Sequence, residues 1–535
     1  MATTTTGSRK RKAPIAEQPR QSKPGPELRP HKKARRRSTR LARIAHGIAA
    51  APAPTAALPV VPEIAIVPEA PIVPETPAEQ EKPAVQETPV VPDTTPLNAV
   101  PNPRETLSVF VFGDGEMGGL GLGTKVTEAK RPKLNPFLDP TKDIAFHAVR
   151  IACGGMHNVV LTNDNKIVTW GVNDCHALGR STDWDGGLRD ADAEDSDEEG
   201  DLNPLESTPM AVDSVHFAPG TKFVSVAAGD NCTLALTDDG QVYAWGTFRD
   251  PDGKEAFGYA EDGSKIIKQP IPVPVAGLQN ITQIACGENH ALALDNTGTI
   301  WGWGTGGQNQ FLSVGNASIQ DTLRPLIVRP CENKVKYIAS GPNHCFAIDD
   351  SDKVWGWGLN NFGQAGHAES AGGDEAFRPE ATRIDGLCGR NVIQLAGGGS
   401  HSVAITAAGE CFVWGRMDGG QLGIEFTPEQ LADETFFRRD ERGKPRICLA
   451  PTAIPGLGKV IQVGCGTDHT IFINDEGKAY STGFGTQNQL GLGQDEDVFV
   501  ATQIKGKAVN DEKFVWAGAG GQFSAIASTR AEATA

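Results

Sequence analysis

The chain has 535 residues, 62 of them glycine, and a formal net charge of −16 at pH 7. It contains neither a run of about 18 apolar residues nor an apolar N-terminal segment of the signal-peptide type, so no membrane contact is expected. The ten cysteines include no CxxC pair. This favours buried thiols in a reducing compartment over disulfides or a metal site.

The first 50 residues form a basic segment. They hold 14 Lys and Arg against two Glu, a net charge of +12, which leaves −28 on the rest of the chain. Such a segment favours nucleic acid or an import receptor as its partner. We therefore predict that residues 1–50 are a disordered arm for nuclear localisation and nucleosome or DNA binding. The alternative is a solvated tail without a partner. The clusters behind this prediction are Arg9, Lys10, Arg11 and Lys12, and Lys32, Lys33, Arg35, Arg36 and Arg37.

Residues 51–104 are rich in proline and repeat a Val-Pro-Glu triplet, as in Val61-Pro62-Glu63. Because proline lacks a backbone donor and fixes φ, this composition predicts an extended linker without a packed core. A second segment, residues 190–201, is dominated by carboxylates whose mutual repulsion opposes packing. A calcium loop is the alternative there, but the glycine and the terminal glutamate of EF-hand spacing are absent.

The rest of the chain repeats one unit, which is clearest over residues 391–423. Short apolar runs such as Val403–Thr406 and Phe412–Trp414 are separated by glycine-rich turns. Period-two runs between such turns predict antiparallel strands. A unit of about 50–60 residues holds about four strands, and sheets of this size bury both faces by stacking radially in a β-propeller. The unit occurs seven times, and its third run ends at Gly113, Gly171, Gly246, Gly304, Gly358, Gly415 and Gly483.

The two ends of the repeat array complement each other. The first copy lacks its front half and starts near Leu107, whereas the last copy lacks its back half and ends near Ser528. Together they make one complete sheet, which pairs the edges that an open ring would expose. The sequence therefore predicts an all-β fold, a closed seven-bladed β-propeller over residues 105–528, with a disordered tail at 529–535.

Five repeats carry a histidine at one equivalent position, just after a glycine-rich turn, and Cys232 and Phe523 stand there in the other two. Five copies around a ring cannot all serve one reaction, so a structural role within each blade is favoured. The residue before this position varies, as Asn231, Asn289 and Asp468 show, and this variation indicates a binding face. The five histidines are His157, His290, His344, His401 and His469.

No sequence of the G-x-S-x-G, H-E-x-x-H or P-loop type is present. One loop departs from the repeated frame, because 12 residues separate Gly246 from Gly258 where the other repeats use eight. A Pro-Asp-Gly turn inside it predicts a short protruding hairpin, and a neutral surface insertion is the alternative. The residues of this hairpin are Phe248, Arg249, Asp250, Pro251, Asp252, Gly253, Lys254 and Glu255.

The seven repeats, the Gly420–Gly423 type of ending and the Phe248–Gly253 loop resemble the regulator of chromosome condensation family, especially its fungal members. The resemblance covers roughly residues 105–528. It implies a guanine nucleotide exchange factor for a Ran-type small GTPase that is associated with chromatin in the nucleus. Such a factor performs no covalent chemistry, so neither enzymatic activity in that sense nor a cofactor is expected.

The resemblance also implies which residues meet the GTPase. The hairpin would be a wedge that presses near the phosphate-binding loop of the GTPase, with Arg249 as its charged contact. A nucleosome-binding loop would lie near Ser313–Arg329. Two other functions remain open, a chromatin-tethered scaffold without exchange activity and an enzyme such as a propeller lyase. The remaining GTPase-facing residues would be Glu116, His157, Asp230, Asn289, Ser400, His401 and Phe523.

Overall fold

The computed structural model describes residues 97–186, 201–250, 252–305, 322–373 and 376–531. The basic arm, most of the proline-rich linker, residues 190–200 of the acidic segment and the last four residues therefore lie outside the described residues. The first fourteen strands in chain order are β1 Glu105–Asp114, β2 Glu128–Leu134, β3 Ala148–Cys153, β4 His157–Thr162, β5 Ile167–Gly171, β6 Met210–Ala211, β7 Phe223–Ala228, β8 Cys232–Thr237, β9 Val242–Gly246, β10 Phe248–Arg249, β11 Glu255–Ala256, β12 Gly258–Tyr259, β13 Lys265–Ile266 and β14 Gln269–Pro274.

The second half of the chain continues in the same way with nineteen further strands. They are β15 Ile281–Cys286, β16 His290–Asp295, β17 Ile300–Gly304, β18 Leu326–Val328, β19 Val335–Ser340, β20 His344–Asp349, β21 Val354–Leu359, β22 Phe377–Arg383, β23 Val392–Gly397, β24 His401–Thr406, β25 Cys411–Arg416, β26 Phe437–Arg439, β27 Pro445–Ala453, β28 Val460–Cys465, β29 His469–Asn474, β30 Ala479–Gly483, β31 Val498–Gln503, β32 Phe514–Ala519 and β33 Phe523–Ala531.

The helical segments that lie wholly within the described residues are short. They are α1 Pro204–Ser207, α2 Pro428–Leu431 and single 3₁₀ turns at Ser214–His216 and Asp385–Leu387. None of the helices among the described residues has the length and apolar composition that crossing a membrane requires. Proline at the first position of both α-helices fits its missing N–H, which has no intrahelical partner there.

The described strands form seven sheets of four or five strands, one for each sequence repeat. Blade one has the order β2-β1-β33-β32, so both ends of the chain contribute to it. In this blade β1 pairs with β33 from Glu105 opposite Ala531 to Gly113 opposite Phe523. The predicted joining of the two half-blades is therefore present, and β33 continues three residues beyond Ser528. The strands of the other blades are β3–β6 in blade two, β7, β8, β9 and β14 in blade three, β15–β18 in blade four, β19–β22 in blade five, β23, β24, β25, β27 and β26 in blade six, and β28–β31 in blade seven.

The sheets close into a ring around their first strands. These inner strands contact one another in the order β3, β7, β15, β19, β23, β28 and β32, and β32 in turn contacts β3. The second strand of each blade is buried on both sides, as in β24, where all six residues are buried. Burial on both faces explains why these strands are almost continuously apolar in sequence. The prediction of an all-β propeller is confirmed.

Steric constraints require glycine at the end of the third strand of each blade. Gly415 has a φ of +103°, and a Cβ at this position would lie 2.7 Å from the carbonyl oxygen of Ser400. An L-residue would therefore be strained by its backbone and would meet the neighbouring strand. The repeated glycine marks the place where the chain leaves the sheet toward the following loop.

Antiparallel order assigns the connections of each blade to two opposite faces. The turn between the first and second strands and the loop between the third and fourth strands lie at the same end, since His401 pairs with Gly415 and His157 with Gly171. We call this end the top face and define it by the turns before the histidine positions and the loops after Gly113, Gly171 and their counterparts. The turns between second and third strands form the bottom face.

Residues 97–104 run along the bottom face before β1 begins. The side-chain amide of Asn98 donates to the carbonyl oxygens of Thr237 (3.0 Å) and Ile281 (2.8 Å), which belong to blades three and four. Further along, the side-chain amide of Asn163 in blade two donates to the carbonyl of Pro103 at 3.4 Å. This end of the predicted linker is thus fixed to the propeller.

Candidate functional site

The repeated histidines of the top face connect neighbouring blades. The ring Nε2 atoms of His157, His344 and His401 lie 2.7–2.8 Å from the hydroxyls of Thr233, Ser402 and Thr470 in the next blade. Each of these hydroxyls donates its own proton to a backbone carbonyl, so Nε2–H is the donor to the hydroxyl oxygen. His469 makes the same contact with Ser524, and Ser340 and Cys345 stand beside His290.

This burial corrects part of the sequence interpretation. His157 and His401 are fully buried, and Phe523 is 3% exposed, so these side chains do not face a partner. Burial lowers the pKa of His157 to about 4 and that of His401 to about 3, so both rings are neutral near pH 7. The histidines therefore have a structural role, as their repetition predicts, but this role is to connect neighbouring blades and not to bond within one blade.

Tryptophans fix the loops of the top face from below. The indole N–H of Trp170 donates to the carbonyl of Gly119, that of Trp245 to Ala177, and that of Trp414 to Gln364, at 2.7–3.1 Å. Each carbonyl belongs to the loop of the preceding blade, and each tryptophan is fully buried. These loops therefore have little freedom to yield when a partner presses on the top face.

The predicted hairpin is present in the loop of blade three. Strand β10 pairs with β11, with Phe248 opposite Ala256 and Arg249 opposite Glu255. The carboxylate of Asp250 accepts from the backbone N–H groups of Asp252 (3.0 Å) and Lys254 (2.8 Å), which closes the turn. Phe248 is fully buried and stacks on Phe257, whereas the side chains of Asp252 and Lys254 are 79% and 75% exposed. We call residues 248–255 the wedge hairpin; Pro251 lies outside the described residues.

The guanidinium of Arg249 already has partners within the top face. It lies 3.1 Å from the carboxylate of Glu255 and 2.9 Å from the sulfur of Cys175 in blade two. Lys268 binds the other oxygen of Glu255 at 3.2 Å. Burial raises the pKa of Glu255, but hydrogen bonds from Lys268 and Arg249 outweigh it and hold this pKa below its ordinary value. These contacts stiffen the stem of the wedge hairpin while the Arg249 side chain stays 41% exposed.

Asp230 and Asn289 flank the wedge hairpin on the top face. Asn289 accepts a 2.7 Å hydrogen bond from the backbone N–H of Arg249. Asp230 is half-buried, and its pKa is raised to about 7 by burial and by the negative charge of Glu288. The backbone N–H of Gly155 and the charge of Arg249 oppose this rise. Asp230 therefore changes its charge in the physiological pH range.

The remaining predicted contacts are spread over the ring. Glu116 is exposed in the top-face loop of blade one, and Ser400 is half-buried in a turn of blade six. Ser313 lies outside the described residues, as do all the lysines and arginines of the two basic clusters in the arm. Arg324 lies 5.3 Å from the centre of the Tyr259 ring, beside the second hairpin of blade three. The structure thus brings Arg249, Asp230 and Asn289 together and leaves Glu116 and Ser400 in other blades.

Two features of the top face were missed in the sequence. A second hairpin, β12–β13, follows the wedge hairpin. In blade six, α2 and β26 are inserted between β25 and β27, and Phe436 there is 47% exposed. The spacing of 68 residues between Gly415 and Gly483 was a signal for this insertion. The insertion leaves the eight-residue spacing from Gly415 to Gly423 intact, because it starts after Gly423.

The space around the ring axis at the top face is small. It has a volume of about 100 Å³ and is lined mainly by the glycine turns, with Asp230 and Glu288 among them. Pockets for small molecules usually measure about 300–1,000 Å³. The top face is therefore suited to a macromolecular partner, which its rigid loops and the protruding wedge hairpin can contact together.

Comparisons with known proteins agree with this geometry. The RCC1-like domain family matches residues 108–526. The chain is 41% identical to guanine nucleotide exchange factor SRM1 of Saccharomyces cerevisiae, with 78% of this chain and 87% of the relative covered. It is 38% identical to Protein pim1 of Schizosaccharomyces pombe, with 81% and 76% covered. The crystal structure of Prp20p from Saccharomyces cerevisiae superimposes with a TM-score of 0.69 at 37% identity and covers 79% of this chain and 92% of that one. The chain belongs to the regulator of chromosome condensation family, whose RCC1-like domain forms its propeller.

Proposed function

We propose that this protein is a guanine nucleotide exchange factor for a Ran-type small GTPase. Its relative SRM1 is named as a guanine nucleotide exchange factor, and the structure of Prp20p was described with the binding of that protein to Gsp1p. The observation that carries the proposal is the wedge hairpin, which projects from a face whose loops are fixed by buried tryptophans. No covalent step is involved, because exchange needs only differential binding.

The mechanism follows from linkage. A protein that binds the nucleotide-free GTPase more tightly than the loaded form weakens nucleotide binding by the same factor. Each tenfold weakening requires about 1.4 kcal/mol of differential binding energy. Asp252 and Lys254 at the exposed tip, and Arg249 behind them, would press on the phosphate-binding region of the GTPase. The acidic propeller would attract a basic surface on the GTPase and speed encounter.

The first experiment measures release of labelled GDP from a purified Ran-type GTPase with the full chain. Acceleration that saturates with the concentration of this protein supports exchange activity. Tight binding without acceleration would instead support the alternative, a chromatin-tethered scaffold. A control with an unrelated small GTPase tests whether the effect is specific.

A second experiment tests the wedge itself. Replacing residues 249–254 by a short Gly-Ser link should leave the propeller folded, because other blades use shorter loops at this position. The maximal rate of GDP release at saturating protein should fall by orders of magnitude, while the melting temperature should stay near that of the unchanged protein. A maximal rate within about twofold of the original would assign exchange to another part of the ring, since a lost charge-assisted contact alone is worth more.

We also propose that the basic arm gives the protein its nuclear, chromatin-associated location. The Prp20p study reports its binding to histones, and another structure shows Kap60 bound to yeast RCC1 (Prp20). Fourteen positive charges in the first 50 residues would bind nucleic acid in a salt-dependent way and engage an import receptor. Changing Lys32, Lys33, Arg35, Arg36 and Arg37 to Ala should shift the protein partly to the cytoplasm and flatten the salt dependence of DNA binding. An unchanged location and slope would contradict this role.

A further inference from the structure

We infer that Glu288 and Asn343 are positioning residues that hold the wedge hairpin through Asn289. The inference rests on the proposed function for its kinetic consequences, but the fastening of the hairpin can be measured without it. Neither residue is part of the hairpin, and neither is among the GTPase-facing residues that the family resemblance implies. They lie in the top-face turns of blades four and five, next to the loop of blade three.

The contacts form a chain across three blades. The side-chain amide of Asn343 donates to one carboxylate oxygen of Glu288 at 2.7 Å. The other oxygen of Glu288 accepts from the amide of Asn289 at 3.3 Å. The carbonyl oxygen of the Asn289 side chain then accepts from the backbone N–H of Arg249 at 2.7 Å. Both turns are also joined through their backbones, because the N–H of Glu288 donates to the carbonyl of Pro342 at 2.9 Å.

Glu288 determines which way the amide of Asn289 points. A carboxylate only accepts hydrogen bonds, so the NH₂ group of Asn289 must face Glu288. This leaves the side-chain oxygen of Asn289 toward Arg249, where an acceptor is required. If the carboxylate were removed, the amide would be free to flip, and its NH₂ group would then oppose the N–H of Arg249. Asn343 in turn holds the carboxylate in place.

The wedge hairpin needs such a support. Its two strands have two residues each, and a ladder of this length is marginally stable in water without further contacts. On one side Arg249 contacts Cys175 of blade two, and on the other its backbone is held by Asn289 of blade four. The hairpin is thus tied to both neighbouring blades at the residue from which its exposed tip projects.

The test compares Glu288→Ala, Asn343→Ala and Asn289→Ala in the full chain. Asn333→Ala serves as matched control, because Asn333 also donates a side-chain amide to a carboxylate, that of Asp349 at 3.0 Å, but at the bottom of blade five. Hydrogen–deuterium exchange of residues 247–257 should speed up in the three variants and stay unchanged in the control. All four proteins should keep similar melting temperatures, since the four side chains are only half-buried and lie at the ends of the blades.

The kinetic readout separates positioning from partner contact. Glu288→Ala should lower the maximal rate of GDP release by about 5–30-fold, the factor that one or two lost hydrogen bonds represent, and Asn343→Ala should lower it less. The protein concentration at half-maximal rate should change by less than about threefold. Glu288→Gln keeps one acceptor and should recover part of the rate. The double variant Glu288→Ala with Asn289→Ala should be no slower than Asn289→Ala alone, because Glu288 acts through Asn289.

Each outcome decides the inference. Additive losses in the double variant would overturn it, and so would unchanged deuterium exchange around Arg249 in the single variants. If the wild-type protein releases GDP, variants with faster deuterium exchange but an unchanged maximal rate of GDP release would overturn it as well. If the wild-type protein releases no GDP at all, the proposed function fails. The fastening of the hairpin by Glu288 and Asn343 is then judged by the deuterium exchange alone.

Discussion

The repeated histidines and the wedge hairpin lie at the same face of the ring but differ in almost every physical respect. The histidines recur in five blades, are fully buried and hold neutral rings between neighbouring blades. The wedge hairpin occurs in one blade, is stiffened by ionic contacts and exposes its tip. Repetition therefore marks residues that are needed at every junction between blades. Departure from the repeat marks the residues that can single out one partner.

The largest effect is expected where the ring itself is opened. Deleting residues 513–528 removes β32 and most of β33, and with them the inner strand that contacts both β28 and β3. The edges of blade one then lose their partners, so cooperative unfolding should disappear. Circular dichroism and scanning calorimetry check this. A truncated protein that melts like the full chain would show that ring closure is dispensable.

A histidine variant should affect stability and leave exchange intact. His401→Ala removes the bond to Thr470 and leaves a buried cavity, at a cost of about 2–4 kcal/mol of unfolding free energy. The pKa of His401 is about 3 in the folded protein and higher when unfolded, so its stabilising effect is full above about pH 6.5 and is lost as pH falls toward 3. The difference in melting temperature between His401→Ala and wild type should therefore shrink at acidic pH. A large loss of GDP release in a folded His401→Ala protein would contradict the structural role.

Much of the fold was predictable because its signals are local and repeated. Glycine spacing indicated the blades, and the complementary half-repeats indicated their closure, which the pairing of β1 with β33 confirms. The hairpin was predictable from a Pro-Asp-Gly turn within a longer loop. These features depend on the backbone preferences of glycine and of turn residues, which can be recognised in a short segment of sequence alone.

The site was predicted less well because side-chain direction depends on register. His401 and Ser400 are neighbours, yet the first points between blades and the second lies half-buried in the turn. A displacement of one residue in a strand exchanges its two faces, and a family resemblance does not remove this ambiguity. The partners of Arg249 were also hidden, since Cys175 lies 74 positions away in the sequence.

Arg249→Ala tests the charged part of the wedge hairpin. The substitution removes the contacts with Glu255 and Cys175 as well as a positive charge near the tip, so the maximal rate of GDP release should fall by a factor equivalent to about 1–3 kcal/mol. Arg249→Lys should recover only part of it, because an ammonium cannot reproduce the geometry of the guanidinium. Equal rates for Arg249→Ala and wild type would limit the role of the hairpin to its backbone.

The smallest and most specific effect is expected at Asp230. Its pKa of about 7 means that the carboxylate carries its full charge only above this pH, so its contact with a basic surface of the nucleotide-free GTPase in the complex should strengthen as pH rises through about 7. Asp230→Ala should slow release, and Asp230→Asn should give a rate that no longer rises with pH. Cys232→Ala, two residues away and fully buried, should behave like wild type.

The maximal rate of GDP release is measured from about pH 6 to 8. At each pH it is divided by the rate at which the GTPase alone releases GDP when its magnesium is removed by a chelator. This division removes the pH dependence of the GTPase itself. Glu288→Gln removes the like charge that helps to raise the pKa of Asp230, so the rise in rate should move to lower pH in this variant. If wild type and Asp230→Asn share the same pH profile, the titration of Asp230 does not contribute to exchange, and its effect must come from shape.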